Sequence, residues 1–221
     1  MPPISISSVI ACHACPLRFY LEQEADHIEP ARYTFAKQIS YHLGTPLDAD
    51  VIWEDVRIVA PETPDECEAT VRAWVEQCRQ TNWREAAECD VRVASARLGI
   101  AGTIDRLFDD EPVAAILRST EAPEAGIYTA DRLRAACLLF CINETIDPAA
   151  TSVAIEYVPS GISRTCIPQP RDRRNALRAI RLIEKIRAGH VPKKPHDAPC
   201  EGCYLADHCT GTSAKRLTDL L

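Results

Sequence analysis

Val91-Arg92-Val93-Ala94-Ser95-Ala96-Arg97-Leu98-Gly99-Ile100-Ala101-Gly102-Thr103-Ile104-Asp105-Arg106-Leu107 is the stretch on which the fold turns. Val91, Val93 and Ala94 lead into Gly99, and Ile100, Gly102, Ile104 and Leu107 follow it. That pattern predicts two strands joined by a tight turn near Leu98-Gly99. The apolar run from Pro112 to Leu117 predicts a third.

Helical patterns lie on both sides of these strands. Ser7 or Ser8 can cap a short helix, and Pro16 suits the first turn of a second one through Phe19, Tyr20 and Leu21. Residues 31–43 predict another helix. Thr63-Pro64-Asp65-Glu66 has the spacing of a capping box, and Val71, Trp74, Val75 and Cys78 then recur at helical spacing. Downstream, residues 129–143 return to helix, with Leu133, Cys137, Phe140 and Cys141 on one face. Residues 151–158 and 162–167 predict a hairpin turning at Ser160-Gly161. A long helix follows from about Asp172 to Ala188, marked by Leu177, Ile180, Ile183 and Glu184, with Gly189 as its stop. The order implies an α/β (or α+β) domain with a mixed central sheet over residues 1–189, followed by a cysteine-rich tail over 190–221.

At 221 residues, 46% hydrophobic and 26% charged, the chain has the composition of a globular protein. It has no apolar run of about 18 residues, so no membrane span is expected. The start MPPISISSVIACHA lacks a basic region before its short apolar run and does not read as a signal peptide. A cytoplasmic protein is the expectation. The formal net charge of −7 argues against nonspecific coating of nucleic acid. Residues 164–194 nonetheless hold ten Lys and Arg against Asp172 and Glu184, a local charge of +8 that leaves −15 elsewhere. Arg171, Arg174, Arg178 and Arg181 fall at three- and four-residue steps and can share a helix face able to bind phosphates.

Eleven cysteines without a secretory signal point to reduced thiols and metal ligation rather than disulfides. The tail reads Pro199-Cys200-Glu201-Gly202-Cys203-Tyr204-Leu205-Ala206-Asp207-His208-Cys209. A C-x2-C turn aims two thiolates at one centre, and the five-residue spacer returns a third. Four thiolates are the usual demand of an iron–sulfur cubane or a structural zinc, and spacing alone leaves both open. Cys12 and Cys15 are the candidates for the fourth, with His196 and His208 as possible zinc ligands. Cys67, Cys78, Cys89, Cys137, Cys141 and Cys166 read as small packing residues.

Cys15-Pro16-Leu17-Arg18-Phe19-Tyr20-Leu21 resembles the N-terminal cysteine signature of the CRISPR-associated RecB-type iron–sulfur exonucleases, the Cas-four family. The C-x2-C-x5-C tail is similar to that family's C-terminal cysteine trio, and Gly102-Thr103-Ile104-Asp105 to its Gly-x-x-Asp motif. The resemblance implies a PD-(D/E)XK (RecB-like) nuclease core and a 4Fe–4S cluster held by Cys15, Cys200, Cys203 and Cys209. It also implies DNA, single-stranded or at ends, and CRISPR integrase proteins as partners, in spacer acquisition or DNA processing.

The family's chemistry places a manganese or magnesium ion on paired carboxylates beside the scissile phosphate, with a lysine two residues after the second carboxylate. Asp105 keeps the first position, but Ile116 stands where the second carboxylate is expected and Arg118 where the lysine is. Arginine stays protonated and cannot act as a base. On the early helix Ser40 takes the place of a metal-binding histidine, with His42 two residues late. Leu133 and Cys137 replace a supporting Gln and Tyr, and Asp109, Asp110 and Glu111 are substitute carboxylates of last resort. The expectation is a nuclease fold with weak or absent cleavage. The alternatives are an active metal-dependent single-stranded DNA exonuclease using Asp105, or a zinc-stapled protein-interaction module.

Overall fold

The computed structural model describes residues 2–22, 30–196, 198–201, 203, 205, 206 and 209. The elements run β1 (Ile4–Ser5), α1 (Ile6–Ala14), α2 (Pro16–Glu22), α3 (Ala31–His42), α4 (Ala49–Val59), α5 (Glu68–Arg79), β2 (Glu88–Ser95), β3 (Ile100–Leu107), β4 (Ala114–Arg118), α6 (Thr129–Thr145), β5 (Val153–Tyr157), β6 (Ile162–Cys166) and α7 (Pro170–Arg187).

β3 is the hub of a mixed sheet. β2 pairs antiparallel with one of its edges, from Glu88↔Leu107 to Ser95↔Ile100. Its other edge is shared by β1, parallel at Ile4↔Ile100, and β4, antiparallel at Arg106↔Ala115. β5 then runs parallel to β4, and β6 closes the order antiparallel to β5. A parallel β4–β5 pair requires a crossover, which α6 supplies. Gly99, at φ 62°, makes the β2–β3 turn. Gly102 has a different reason to be glycine: a Cβ there would lie 2.5 Å from Ile6 Cδ1, so the missing side chain lets α1 lie on β3.

Helices cover both sheet faces. Ile116 belongs to a buried cluster with Val9, Ile104, Leu133, Leu138, Ile142 and Ile183, which joins α1, α6 and α7 to the strands. Its neighbour Leu117 belongs to a second cluster with Phe35, Ile39, Ile52, Trp53, Val71 and Trp74 of α3, α4 and α5. Adjacent strand residues point to opposite faces, so the two clusters lie on opposite sides of the sheet. α6 buries Leu133, Leu138, Leu139 and Ile142 almost completely, each worth about 1.5–3 kcal/mol relative to exposure. A further tie crosses the sheet: Arg106, fully buried, donates to Glu156 Oε1 at 2.7 Å and to Leu43 O at 2.8 Å. Alanine at 115, opposite Arg106, and at 154 leaves room for that side chain.

Several local expectations change. The first helix is capped by Ser5, whose Oγ accepts from Ser8 N–H at 3.0 Å, rather than by Ser7 or Ser8. The Thr63 box does not form; a 3-10 turn at Asp65–Cys67 leads into α5 instead. α7 begins two residues early because Gln169 and Asp172 exchange capping hydrogen bonds around Pro170. α4, capped by Asp48 and buried through Ile52, Trp53 and Val56, has no counterpart in the sequence expectations, and neither does β1.

Candidate functional site

Asp105 lies near the end of β3 and is largely buried. Its Oδ2 accepts the Leu117 backbone N–H at 2.8 Å, which fixes the carboxylate against β4. Its Oδ1 accepts from Lys37 Nζ at 2.9 Å and from Tyr33 OH at 3.5 Å. Lys37 Nζ also contacts Asp90 Oδ1 on β2, and Tyr41 OH donates to Asp90 Oδ2 at 2.5 Å. Tyr33, Lys37 and Tyr41 are four residues apart and therefore share one face of α3.

The sheet bends to make this group. The β2–β3 register pairs Cys89 with Arg106 and Val91 with Ile104, and between them Asp90 adopts φ 60°. Aspartate tolerates that left-handed backbone better than most residues. The result is two carboxylates from neighbouring strands meeting one ammonium. Burial alone would lower the Lys37 pKa, but Asp105 and Asp90 raise it, so the group is a fixed positive charge. Asp90, opposed by its own burial, is held below the usual carboxylate range by Lys37 and Tyr41. A divalent cation needs the carboxylate lone pairs that Lys37 now engages, so a metal at this position must first displace the ammonium.

The other residues singled out by sequence are placed differently. Ile116 is packed in the main core. Arg118 Nε lies 2.8 Å from Asp131 Oδ1 on α6, and Tyr157 OH donates to Asp131 Oδ2 at 2.9 Å. Ser40 is buried and donates to Lys37 O at 2.7 Å, so the α3 residue facing Asp105 is Lys37 rather than Ser40. His42 pairs with Asp55 of α4 at 2.8 Å. Leu133 and Cys137 are core residues; one position past Leu133, Arg134 lies within electrostatic reach of Asp131, Arg118 and Asp105. Asp109 and Asp110 are exposed, while Glu111 Oε1 accepts from the backbone and hydroxyls of Thr151 and Ser152. None of these three acidic side chains joins Asp105. Sequence reasoning missed Lys37, Asp90 and Arg134. The one available signal was the four-residue spacing of Tyr33, Lys37 and Tyr41.

On α7, Arg171, Arg174, Arg178 and Arg181 are all exposed, opposite the buried stripe of Ala176, Ala179, Ile180, Ile183 and Ile186. Among the described residues only Arg171 of the four has an ion pair, a loose one to Asp172 at 3.8 Å.

Cys15 sits at the α1–α2 junction, and its Sγ accepts the Arg18 N–H at 3.4 Å. In the tail, Cys203 N–H donates to Cys200 O, Ala206 N–H to Cys203 O and Cys209 N–H to Leu205 O, a succession of tight turns. Burial and the thiols of Cys15, Cys200 and Cys203 push the Cys209 thiol up, against Lys194. As they stand, no three Cys, His, Asp or Glu side chains among the described residues form a group that could hold a metal ion. Four thiolates from Cys15, Cys200, Cys203 and Cys209 are what a single iron–sulfur or zinc centre would require of this set. Cys12 is buried, its thiol pushed up to about 11 by burial and by Cys15. His208 lies outside the described residues, as does most of the tail beyond residue 201.

Among the described residues no helix is long and apolar enough to cross a membrane. No protein-family model matches this chain, and no curated protein is significantly similar to it.

Proposed function

We propose that this protein is a RecB-like, PD-(D/E)XK-type nuclease fold, stapled by a 4Fe–4S cluster, that binds DNA ends or an adaptation-complex partner with little or no cleavage. The observation that carries the reading is the Lys37 ammonium held between Asp105 and Asp90. It supplies internally the positive charge that a metal-dependent nuclease takes from its cation. The mixed sheet with the crossover helix α6, and Asp105 fixed against β4, suit such a core. The cluster would be held by Cys15, Cys200, Cys203 and Cys209 and would tie α1 to the tail. The exposed arginines of α7 offer the phosphate-binding surface, and CRISPR spacer acquisition or related DNA processing is the setting.

A second reading rests on Asp90. It gives Asp105 a carboxylate neighbour that the β4 sequence lacks, so an exonuclease could still assemble if manganese or magnesium displaced Lys37. Two measurements test the first reading. Anaerobically purified protein should be brown and contain iron. It should also bind end-labelled DNA with an affinity that falls steeply with salt. A colourless, zinc-containing protein indifferent to DNA would overturn it in favour of an interaction module.

A further inference from the structure

α4 buries one side and carries a second apolar stripe on the other. Ile52, Trp53 and Val56 face the protein, while Val51, Ile58 and Val59 are 47%, 71% and 59% exposed. These are three of the eight large apolar side chains exposed among the described residues, so the exposure is concentrated here rather than scattered. Val51 and Ile58 are seven residues apart and stand on one line of the helix, with Glu54 and Asp55 between them. A groove of about 400 Å³ opens on this face, lined by Asp50, Trp53, Glu54, Arg57 and Ile58.

Most charges around the groove already have partners. Arg57 Nη1 lies 3.4 Å from Asp65, Arg72 Nη2 joins Asp50 at 2.5 Å and Glu68 at 2.6 Å, and Asp55 holds His42. Glu54 is the exception, with no hydrogen bond or ion pair among the described residues. The wider surface has one sign. Residues 48–68 hold eight Asp and Glu against Arg57 alone, a local charge of −7. Such a field repels a phosphate backbone, and it repels the same face of a second copy.

We propose that the solvent face of α4 docks a cationic amphipathic helix of a partner protein. A lysine or arginine of that helix enters the groove between Trp53 and Glu54, and its apolar residues cover Val51 and Ile58. An aromatic wall beside a free carboxylate suits a guanidinium or an ammonium. Apolar contacts one heptad apart are what a helix laid along another supplies. The inference goes beyond the DNA-binding reading and does not depend on it. α4 belongs to the cluster on one side of the sheet, and α7 with its arginines to the cluster on the other.

The test is fluorescence anisotropy of a labelled amphipathic peptide of Leu, Ala, Lys and Arg with its leucines at helical spacing. A scrambled peptide of the same composition and an analogue with Glu for Lys and Arg run beside it. Saturable one-to-one binding of the amphipathic peptide is expected, about tenfold weaker for the scrambled one and absent for the acidic one. Glu54→Lys and Ile58→Ser should each fold, being exposed, and each weaken binding by about tenfold, through a lost charged contact and lost apolar burial respectively. Glu124→Lys makes the same change of net charge on an exposed loop outside α4 and should alter binding by less than about twofold. Equal binding of the amphipathic and scrambled peptides, or an equal loss in Glu124→Lys, would reduce the face to a diffuse acidic field and overturn the proposal. Self-association of the parent abolished by Ile58→Ser would assign the face to a second copy and overturn it too. So would tighter binding of a synthetic peptide of residues 210–221, which would assign the face to that segment of this chain. Ile58→Ser should bind DNA as the parent does, which keeps this outcome separate from that of the α7 surface.

Discussion

Replacing Lys37 with methionine keeps the apolar stem and removes the ammonium between Asp105 and Asp90. The side chains of Lys37 and Asp105 are only 12% and 10% exposed, while Asp90 is 42% exposed. At an effective dielectric of about 20, opposite charges about 4 Å apart attract by about 4 kcal/mol. Desolvation offsets part of that, and the Asp90 contact is discounted for screening by water. What remains is the cost of leaving a buried carboxylate unpaired, about 3 kcal/mol at pH 7. For a domain of this size that is a fall in Tm of roughly 6–12 °C. The sign with pH is fixed by the direction of the Lys37 shift. Its folded pKa lies above the unfolded value, so its contribution is fully present below about pH 10 and lost only as pH rises through the folded pKa. The parent protein therefore gains nothing from Lys37 on acidification. Urea unfolding of both proteins at pH 8 reads the difference. Millimolar manganese should stabilise the variant by mass action and leave the parent unchanged. A variant within about 0.5 kcal/mol of the parent at pH 8 would refute the reasoning, because surface pairs are worth about that much.

Cys203→Ala should give colourless protein with reduced iron and a protease-sensitive tail, checked by iron assay and limited proteolysis; full iron content would remove Cys203 from the ligand set. The double change Arg178→Glu, Arg181→Glu should weaken DNA binding and lower the slope of log K against log salt by about 2, with an unchanged Tm, since both side chains are exposed. Burial, opposed by Arg106, raises the Glu156 pKa to about 7. Its contribution to stability is therefore complete below the unfolded value and lost as pH rises through 7. Urea titrations should show the parent losing on the order of 2 kcal/mol from pH 5 to pH 8 relative to Glu156→Gln, whose dependence should be flatter.

The strands were legible where one local rule sufficed. Alternation on both sides of Gly99 gave β2 and β3, and Gly161 marked the β5–β6 turn. β1 was hidden because two residues cannot show a period, and its pairing with Ile100 depends on a partner about a hundred positions away. α4 was hidden because its buried side is only Ile52, Trp53 and Val56, although Asp48 before it and Pro61 after it bound the helix. At the site, Asp105 could be read from its motif. Lys37 could not, because its role depends on the φ 60° kink at Asp90 that brings β2 to α3. Arg118 looked like a substitute lysine in sequence, yet its ion partner is Asp131, which only the docking of α6 on the sheet brings near. The cysteine signatures are local in sequence, and the tail that carries three of them lies largely outside the described residues.

The most direct test is degradation of end-labelled single-stranded DNA in manganese by the anaerobically purified protein, with Asp105→Ala beside it and salt-dependent binding measured on the same samples. The account predicts bound but intact DNA with both proteins. Cleavage by the parent that disappears in Asp105→Ala would contradict it, and would mean that a cation displaces Lys37 and the nuclease is live.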